Sequence, residues 1–212
     1  LYKNGGTITV KNTTITGGHA GGTAGAMYVG NATGSFENCE FSNSSATSAG
    51  GFAYLASSEL TFTDCDITNN FTTGSQGGAL YVNTCNTEFT NCLFENNVGT
   101  QNAGAIRFYN VGSISLLNNC RFIGNTTPGT GSTGHAGAIR ALNDTLLYFG
   151  NCIFADNTCL GEGAAIQTTN ARMIVANSTF VNNDSTGGTR DGISITAGAE
   201  DAPTWFVNNI FS

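Results

Sequence analysis

The chain has 212 residues, a formal net charge of -7 with only seven Lys and Arg, 10% charged residues, 29 Gly and two Pro. This balance excludes nucleic acid and an anionic membrane surface as ligands, and no apolar run is long enough to cross a bilayer as a helix, so no direct membrane insertion is expected. Abundant Asn, Thr, Ser and Gly disfavour helices and suit turns and short strands; with so few charges, they point to an extracellular or cell-surface protein.

Read from the N-terminus, one unit recurs about every 27 residues. The first copy is degenerate: Ile8 and Val10 lead into Asn12-Thr13-Thr14-Ile15. The second has a Gly/Ala-rich opener, Ala24-Gly25-Ala26-Met27, and a closer, Asn38-Cys39-Glu40-Phe41. Opener and closer return as Gly50-Gly51-Phe52-Ala53 with Asp64-Cys65-Asp66-Ile67, and as Gly77-Gly78-Ala79-Leu80 with Asn91-Cys92-Leu93-Phe94. Next come Ala103-Gly104-Ala105-Ile106 with Asn119-Cys120-Arg121-Phe122, then the longest insertion, Gly124 to His135. Ala136-Gly137-Ala138-Ile139 pairs with Asn151-Cys152-Ile153-Phe154, and Gly163-Ala164-Ala165-Ile166 with Asn177-Ser178-Thr179-Phe180. Asn208-Asn209-Ile210-Phe211 closes an eighth copy.

With the closer Asn or Asp taken as zero, position -2 holds Val10, Phe36, Phe62, Phe89, Leu117, Phe149, Val175 and Phe206. Position +3 holds Ile15, Phe41, Ile67, Phe94, Phe122, Phe154, Phe180 and Phe211. Both columns are apolar throughout, so both face inward. A strand alternates with period two, so an odd separation puts these positions on opposite faces unless the chain bends between them. Asn tolerates the left-handed conformation that makes such a bend. Each unit then reads as strand, bend, strand, turn and a third strand at the opener. Repeated about eight times, this predicts an all-β, right-handed parallel β-helix of three short strands per rung and a single domain over 1–212, with rungs ~4.8 Å apart. The bend column Asn38, Asp64, Asn91, Asn119 and Asn151 is expected to stack its amides along the axis. Neither terminus supplies a cap, which implies a segment of a longer rod or a subunit that stacks head to tail. The start at Leu1, without Met or a signal-like stretch, likewise implies a processed product or an excerpt.

The alternation of GGA(I/L/V) with FxxN resembles the repeats of the chlamydial polymorphic outer membrane proteins. FxxN stands here as Ile67 to Asn70, Phe94 to Asn97, Phe122 to Asn125, Phe154 to Asn157 and Phe180 to Asn183. The resemblance covers nearly the whole chain. It implies a surface-displayed β-helix used in adhesion, commonly as the passenger of an autotransporter.

Cys39, Cys65, Cys92, Cys120 and Cys152 form one column at +1, read either as buried inert thiols or as containing an adjacent disulfide pair; Cys85 and Cys159 lie off it. A linear column of thiols diverges, so no metal or other cofactor is expected. In the outward +2 column Glu40 and Asp66 are the only adjacent acids, read as surface charge, and His19 and His135 sit in Gly-rich turns. No catalytic residue is therefore assigned. Tyr28, Tyr54 and Tyr81 stack on successive opener strands, a candidate carbohydrate-binding ladder, before Arg107, Arg140 and Gln167 replace them. At -3 the column turns apolar in the second half: Leu116, Tyr148, Ile174 and Trp205, extended by Ile153 and Ile210, form a candidate protein-contact stripe. Sequons mark Asn31, Asn43, Asn143, Asn70, Asn125 and Asn183 as candidate N-glycosylation sites, whereas Asn12 and Asn177, on the bend, are expected to resist modification. The expected function is a non-catalytic structural or adhesive rod that contacts itself or another surface protein. The alternative is a carbohydrate-binding or polysaccharide-cleaving β-helix, with the Gly124 to His135 loop as its wall.

Overall fold

The computed structural model describes residues 1–74, 76–109, 112–129, 134–143, 145–188, 190–196 and 204–212. Every strand pair in it is parallel, and each strand of the inner rungs pairs with its counterpart one repeat earlier and one later. The third rung shows the plan: Ala53–Ala56, Glu59–Thr63, Asp66–Thr68 and Phe71–Thr72. The first of these is the opener strand, the second leads into the bend, and the third carries the +3 residue. A fourth strand of only two residues adds to the three expected. Among the described residues the strands assemble into sheets of 14, eight and seven strands. The eight-stranded sheet, made of the strands after the bend, counts the eight rungs. In the first two rungs the opener strand and the strand before the bend run on as one, Tyr2–Lys11 and Met27–Glu37, joining two faces into the 14-stranded sheet.

Left-handed residues make the corners. The bend column has φ of 50° to 56° at Asn12, Asn38, Asp64, Asn91, Asn119, Asn151, Asn177 and Asn208, the conformation that restores inward facing to +3 after -2. A second such column follows the third strand at Asn43, Asn69, Asn96, Gly124, Asp156 and Asn182, and a third opens each Gly-Ala motif at Ala24, Gly50, Gly77, Ala103, Ala136 and Gly163. Asn and Asp suit these sites because their short side chains lower the cost of the left-handed region.

The two predicted columns form the core. Phe36, Phe62 and Phe89 stack at centroid distances of 4.6 and 4.9 Å. Phe94, Phe122, Phe154 and Phe180 stack at 4.7, 4.8 and 4.8 Å. Edge contacts such as Phe89–Phe94, at 5.5 Å, tie the columns together. Each fully buried Phe contributes about 2–3 kcal/mol of hydrophobic stabilisation. The opener strand adds Met27, Ala53, Leu80, Ile106, Ile139 and Ile166, all with no exposed surface.

The amide ladder lies elsewhere than expected. Side chains of the bend residues Asn38, Asp64, Asn91, Asn119 and Asn151 are exposed, as are those of Asn12 and Asn177. Bend-to-bend contacts are Asn38 to Asn12 at 2.7 Å and Asn91 to Asp64 at 3.0 Å. The continuous ladder runs through the FxxN asparagines, where Asn70, Asn97, Asn125 and Asn157 are completely buried. Each Nδ2 donates to the Oδ1 of the next: Asn70 to Asn97 at 3.1 Å, Asn97 to Asn125 at 3.0 Å, Asn125 to Asn157 at 3.0 Å and Asn157 to Asn183 at 2.8 Å. The same Nδ2 also donates to the +3 carbonyl one rung back, as from Asn97 to Ile67 at 2.8 Å, and Oδ1 accepts a backbone N–H, as from Asn70 to Asn97 at 3.0 Å. Asn70, Asn125 and Asn183, candidate N-glycosylation sites by their sequons, belong to this ladder: Asn70 and Asn125 are completely buried, Asn183 is half-buried, and their amides are spent holding rungs together.

The second opener residue is small for a separate reason. A Cβ on Gly51, Gly78 or Gly104 meets the backbone carbonyl of the next opener well inside contact distance. Backbone on both sides leaves nothing to yield, so Gly78→Ala is expected to destabilise the fold by about 3 kcal/mol, the upper end for overpacking. Asn97→Ala orphans buried groups on both neighbouring rungs, at about 1–3 kcal/mol each, and is expected to cost more. Thermal denaturation followed by circular dichroism checks both; a melting temperature unchanged in Asn97→Ala would remove the buried ladder as a source of stability.

Candidate functional site

The opener strands place one side chain per rung on the outer face in strict register: Tyr28 beside Tyr54, then Tyr81, Arg107, Arg140, Gln167 and Ser194. Tyr2, unremarked in the sequence, precedes them by pairing with Tyr28. The Tyr2–Tyr28 and Tyr28–Tyr54 rings lie nearly parallel, with centroids 5.0 and 5.7 Å apart and planes inclined by 11° and 21°. Stacking on one another, these rings turn their faces along the axis and leave edges and hydroxyls outward. A sugar platform on Tyr28 and Tyr54 would need those faces free. Tyr81 breaks the stack, inclined by 58° to Tyr54, and Tyr54 Oη accepts a hydrogen bond from Asn83 Nδ2 at 3.1 Å.

The tilt of Tyr81 serves Arg107. The Arg107 guanidinium carbon lies 5.7 Å from the Tyr81 centroid and 5.6 Å from that of Tyr109, a cation–π contact on two rings. Arg107 is 8% exposed, and its Nε and Nη1 have no hydrogen-bond partner. One rung on, Arg140 Nε is also unpartnered; so are Gln167 Oε1, on a residue 5% exposed, and His135 Nδ1. The nearby carboxylate of Glu162 is committed to Arg190 and Ser194, each at 3.0 Å. Burial pulls the Arg107 pKa down; burial, followed by the charge of Arg107, pulls Arg140 down to about 10. Burial, then Arg140, also lowers His135. Register brings Arg107, Arg140 and Gln167 together, which the sequence showed only as the residues that replace tyrosine, and the turn before the opener adds His135. Of the expected wall loop, residues 130–133 lie outside the described residues, while His135 stands beside the cluster.

On the strand before the bend, Leu116, Tyr148, Ile174 and Trp205 fall into register as read from the sequence. Leu116, Tyr148 and Trp205 are 41%, 40% and 62% exposed, and Ile174 is half-buried. Ile114, exposed and two residues before Leu116, broadens the stripe, and its register neighbour Leu146 extends it. Ile153 and Ile210 are exposed across the bend on the next sheet, with Thr179 between them. A groove of about 450 Å³ opens at the N-terminal end of the stripe, lined by Leu60, Ile114, Leu116, Glu59 and Glu88.

Glu40 and Asp66 are register neighbours on the surface, as expected. His19 Nδ1 lies 2.7 Å from Ser45 Oγ. Among the described residues no group of three or more His, Cys, Asp or Glu is placed to hold a metal ion. Asn31 and Asn43 are exposed; Asn143 is half-buried, and residue 144 of its sequon lies outside the described residues. None of the seven cysteines is in a disulfide, and all are buried. In the column each Sγ donates to the -2 carbonyl of the preceding rung, for example Cys92 to Phe62 and Cys120 to Phe89, both 3.4 Å. Ser178, in the same column, donates its hydroxyl to Ala176 O at 3.0 Å. The next thiol along pushes Cys92 and Cys120 up to about 12, and burial pushes Cys85 up to about 11.

A family model described as right handed beta helix region matches residues 1–146. No curated protein matches the sequence.

The thiol environment sets a pH dependence. A folded-state pKa raised above the unfolded value near 9.0 favours the protonated native form. That stability is fully present below pH 9 and is lost as pH rises toward about 12, because the unfolded chain ionises there while Cys92 and Cys120 of the native column stay protonated; Cys152, whose pKa the contact with Cys120 lowers, works in the opposite sense. The melting temperature is expected to fall across this window, and less so in Cys92→Ser, which keeps a donor as Ser178 does. At pH 8 a thiol reagent is expected to leave all seven cysteines of the folded protein unlabelled and to label seven in denaturant.

Proposed function

The chain belongs to the right-handed β-helix family, and on that premise we propose that it acts outside the cell or at its surface as a non-catalytic adhesive or structural rod. The observation that carries this reading is the in-register stripe Leu116–Tyr148–Ile174–Trp205. Stacked repeats spend their inward residues on the core and their corners on the left-handed conformation, so specificity is left to the outward columns. Three large side chains held at 40% exposure or more on one rigid face are a costly way to meet water and an effective way to meet a protein. The partner is a second copy of the chain, side by side, or another surface protein. Parallel sheets hold the stripe rigid before contact, so little conformational entropy is lost on binding.

The carbohydrate reading has less support, because Tyr2, Tyr28 and Tyr54 cover one another's faces.

Sedimentation velocity over a concentration series tests the proposal. Concentration-dependent association is expected in the unaltered chain, with affinity reduced on the order of tenfold or more in Trp205→Ala and Tyr148→Ser and an unchanged β-sheet spectrum. Association unchanged in both variants would remove the stripe from the argument. Release of soluble products from a panel of polysaccharides would overturn the non-catalytic reading.

A further inference from the structure

We infer that the Arg107–Arg140 step of the opener sheet is a binding site for a small monocarboxylate. Two guanidinium groups on adjacent rungs of a chain with net charge -7 and seven Lys and Arg are held side by side without an acid. Among the described residues no carboxylate bonds to Arg107 or Arg140, and Glu162, the acid that acts electrostatically on His135, already serves Arg190 and Ser194. Arg107 is more than nine-tenths buried and Gln167 is too, and both carry polar atoms without partners. Arginine left in this state is costly, and native proteins resolve such costs with a counterion or a hydrogen-bonding ligand.

The cluster has the parts such a ligand needs. Arg140, half-buried, opens the site to the surface, and Gln167 lies next to it in register. His135 Nδ1 stands in the same neighbourhood. Tyr81 and Tyr109 fix the Arg107 guanidinium from two sides, so its orientation is set before binding. The fork geometry of guanidinium matches a planar carboxylate through paired N–H donors. Depth and charge narrow the choice of ligand. Arg107 is only 8% exposed, which disfavours a bulky ligand group against its guanidinium. A multiply charged anion also meets the repulsive field of a chain at -7, which a single negative charge feels least. The site is independent of the apolar stripe, which lies on the strand before the bend.

Acetate, phosphate and chloride titrations of the full chain at constant ionic strength and pH, read by melting temperature and by calorimetry, test the inference. Acetate is expected to raise the melting temperature saturably, as a ligand that binds only the folded state does, with chloride showing no such rise. Arg140→Gln is expected to weaken acetate binding about tenfold or more while keeping the β-sheet spectrum; Arg107→Gln, where it folds, should do the same. Identical responses to acetate and chloride, or an acetate response unchanged in Arg140→Gln, would overturn the site. A phosphate response stronger than that to acetate would overturn its assignment to a monocarboxylate.

Discussion

Everything in this molecule depends on each rung returning to the same place one strand spacing along the axis. A parallel coil has no hairpin to set its register; the register is set again at every turn by corners and by side chains that must meet their copies. Asn12, Asn38 and Asp64 reverse the facing of the chain at one corner, and Asn43 and Asn69 turn it at the next. A miscounted residue between them would send a phenylalanine into water, and the next rung would have nothing to stack on.

Two kinds of column enforce that count. The phenylalanine stacks supply most of the burial energy but tolerate small displacements, because dispersion is not strongly directional. The FxxN amides are directional: Asn97 joins Asn70 on one side to Asn125 on the other, and each contact fails if either neighbour shifts along the chain. Apolar burial therefore gives the rod its stability, and the buried amides give it a unique alignment. The cysteine column is intermediate, small enough to fill the space behind the bend and able to donate weakly to the preceding rung.

The fold was legible in the sequence because the repeat projects onto columns, and the parity argument at Asn38 and its copies needs no coordinates. Locating the amide ladder did need them. A bend Asn or Asp and an FxxN Asn both recur from Asp64 to Asn183, and sequence alone cannot tell which of the two faces inward once more than one corner breaks the alternation. The short fourth strand escaped notice for a related reason, since pairs such as Ser45–Ala46 and Val98–Gly99 share no residue type. Leu116, Tyr148, Ile174 and Trp205 were visible as a stripe because one residue per rung suffices to define it. The arginine cluster was hidden because it combines an outward column with His135 and Glu162 from the turns that flank it, and the closeness of turn to strand is a property of the coil.

The spacing from the bend to the buried Asn has a consequence for how such a protein can change. It is six positions at Asp64 to Asn70, Asn91 to Asn97, Asn119 to Asn125, Asn151 to Asn157 and Asn177 to Asn183. The chain between the fourth strand and the next opener varies freely by comparison, from the short link after Ala46 to the long one after Thr127. One side of the coil is thus fixed in length and the other is open to insertion. New segments can enter beside Arg107 and Arg140 without altering the contacts of the rungs above and below, so diversification is channelled to the flank where the rod has its least conventional chemistry.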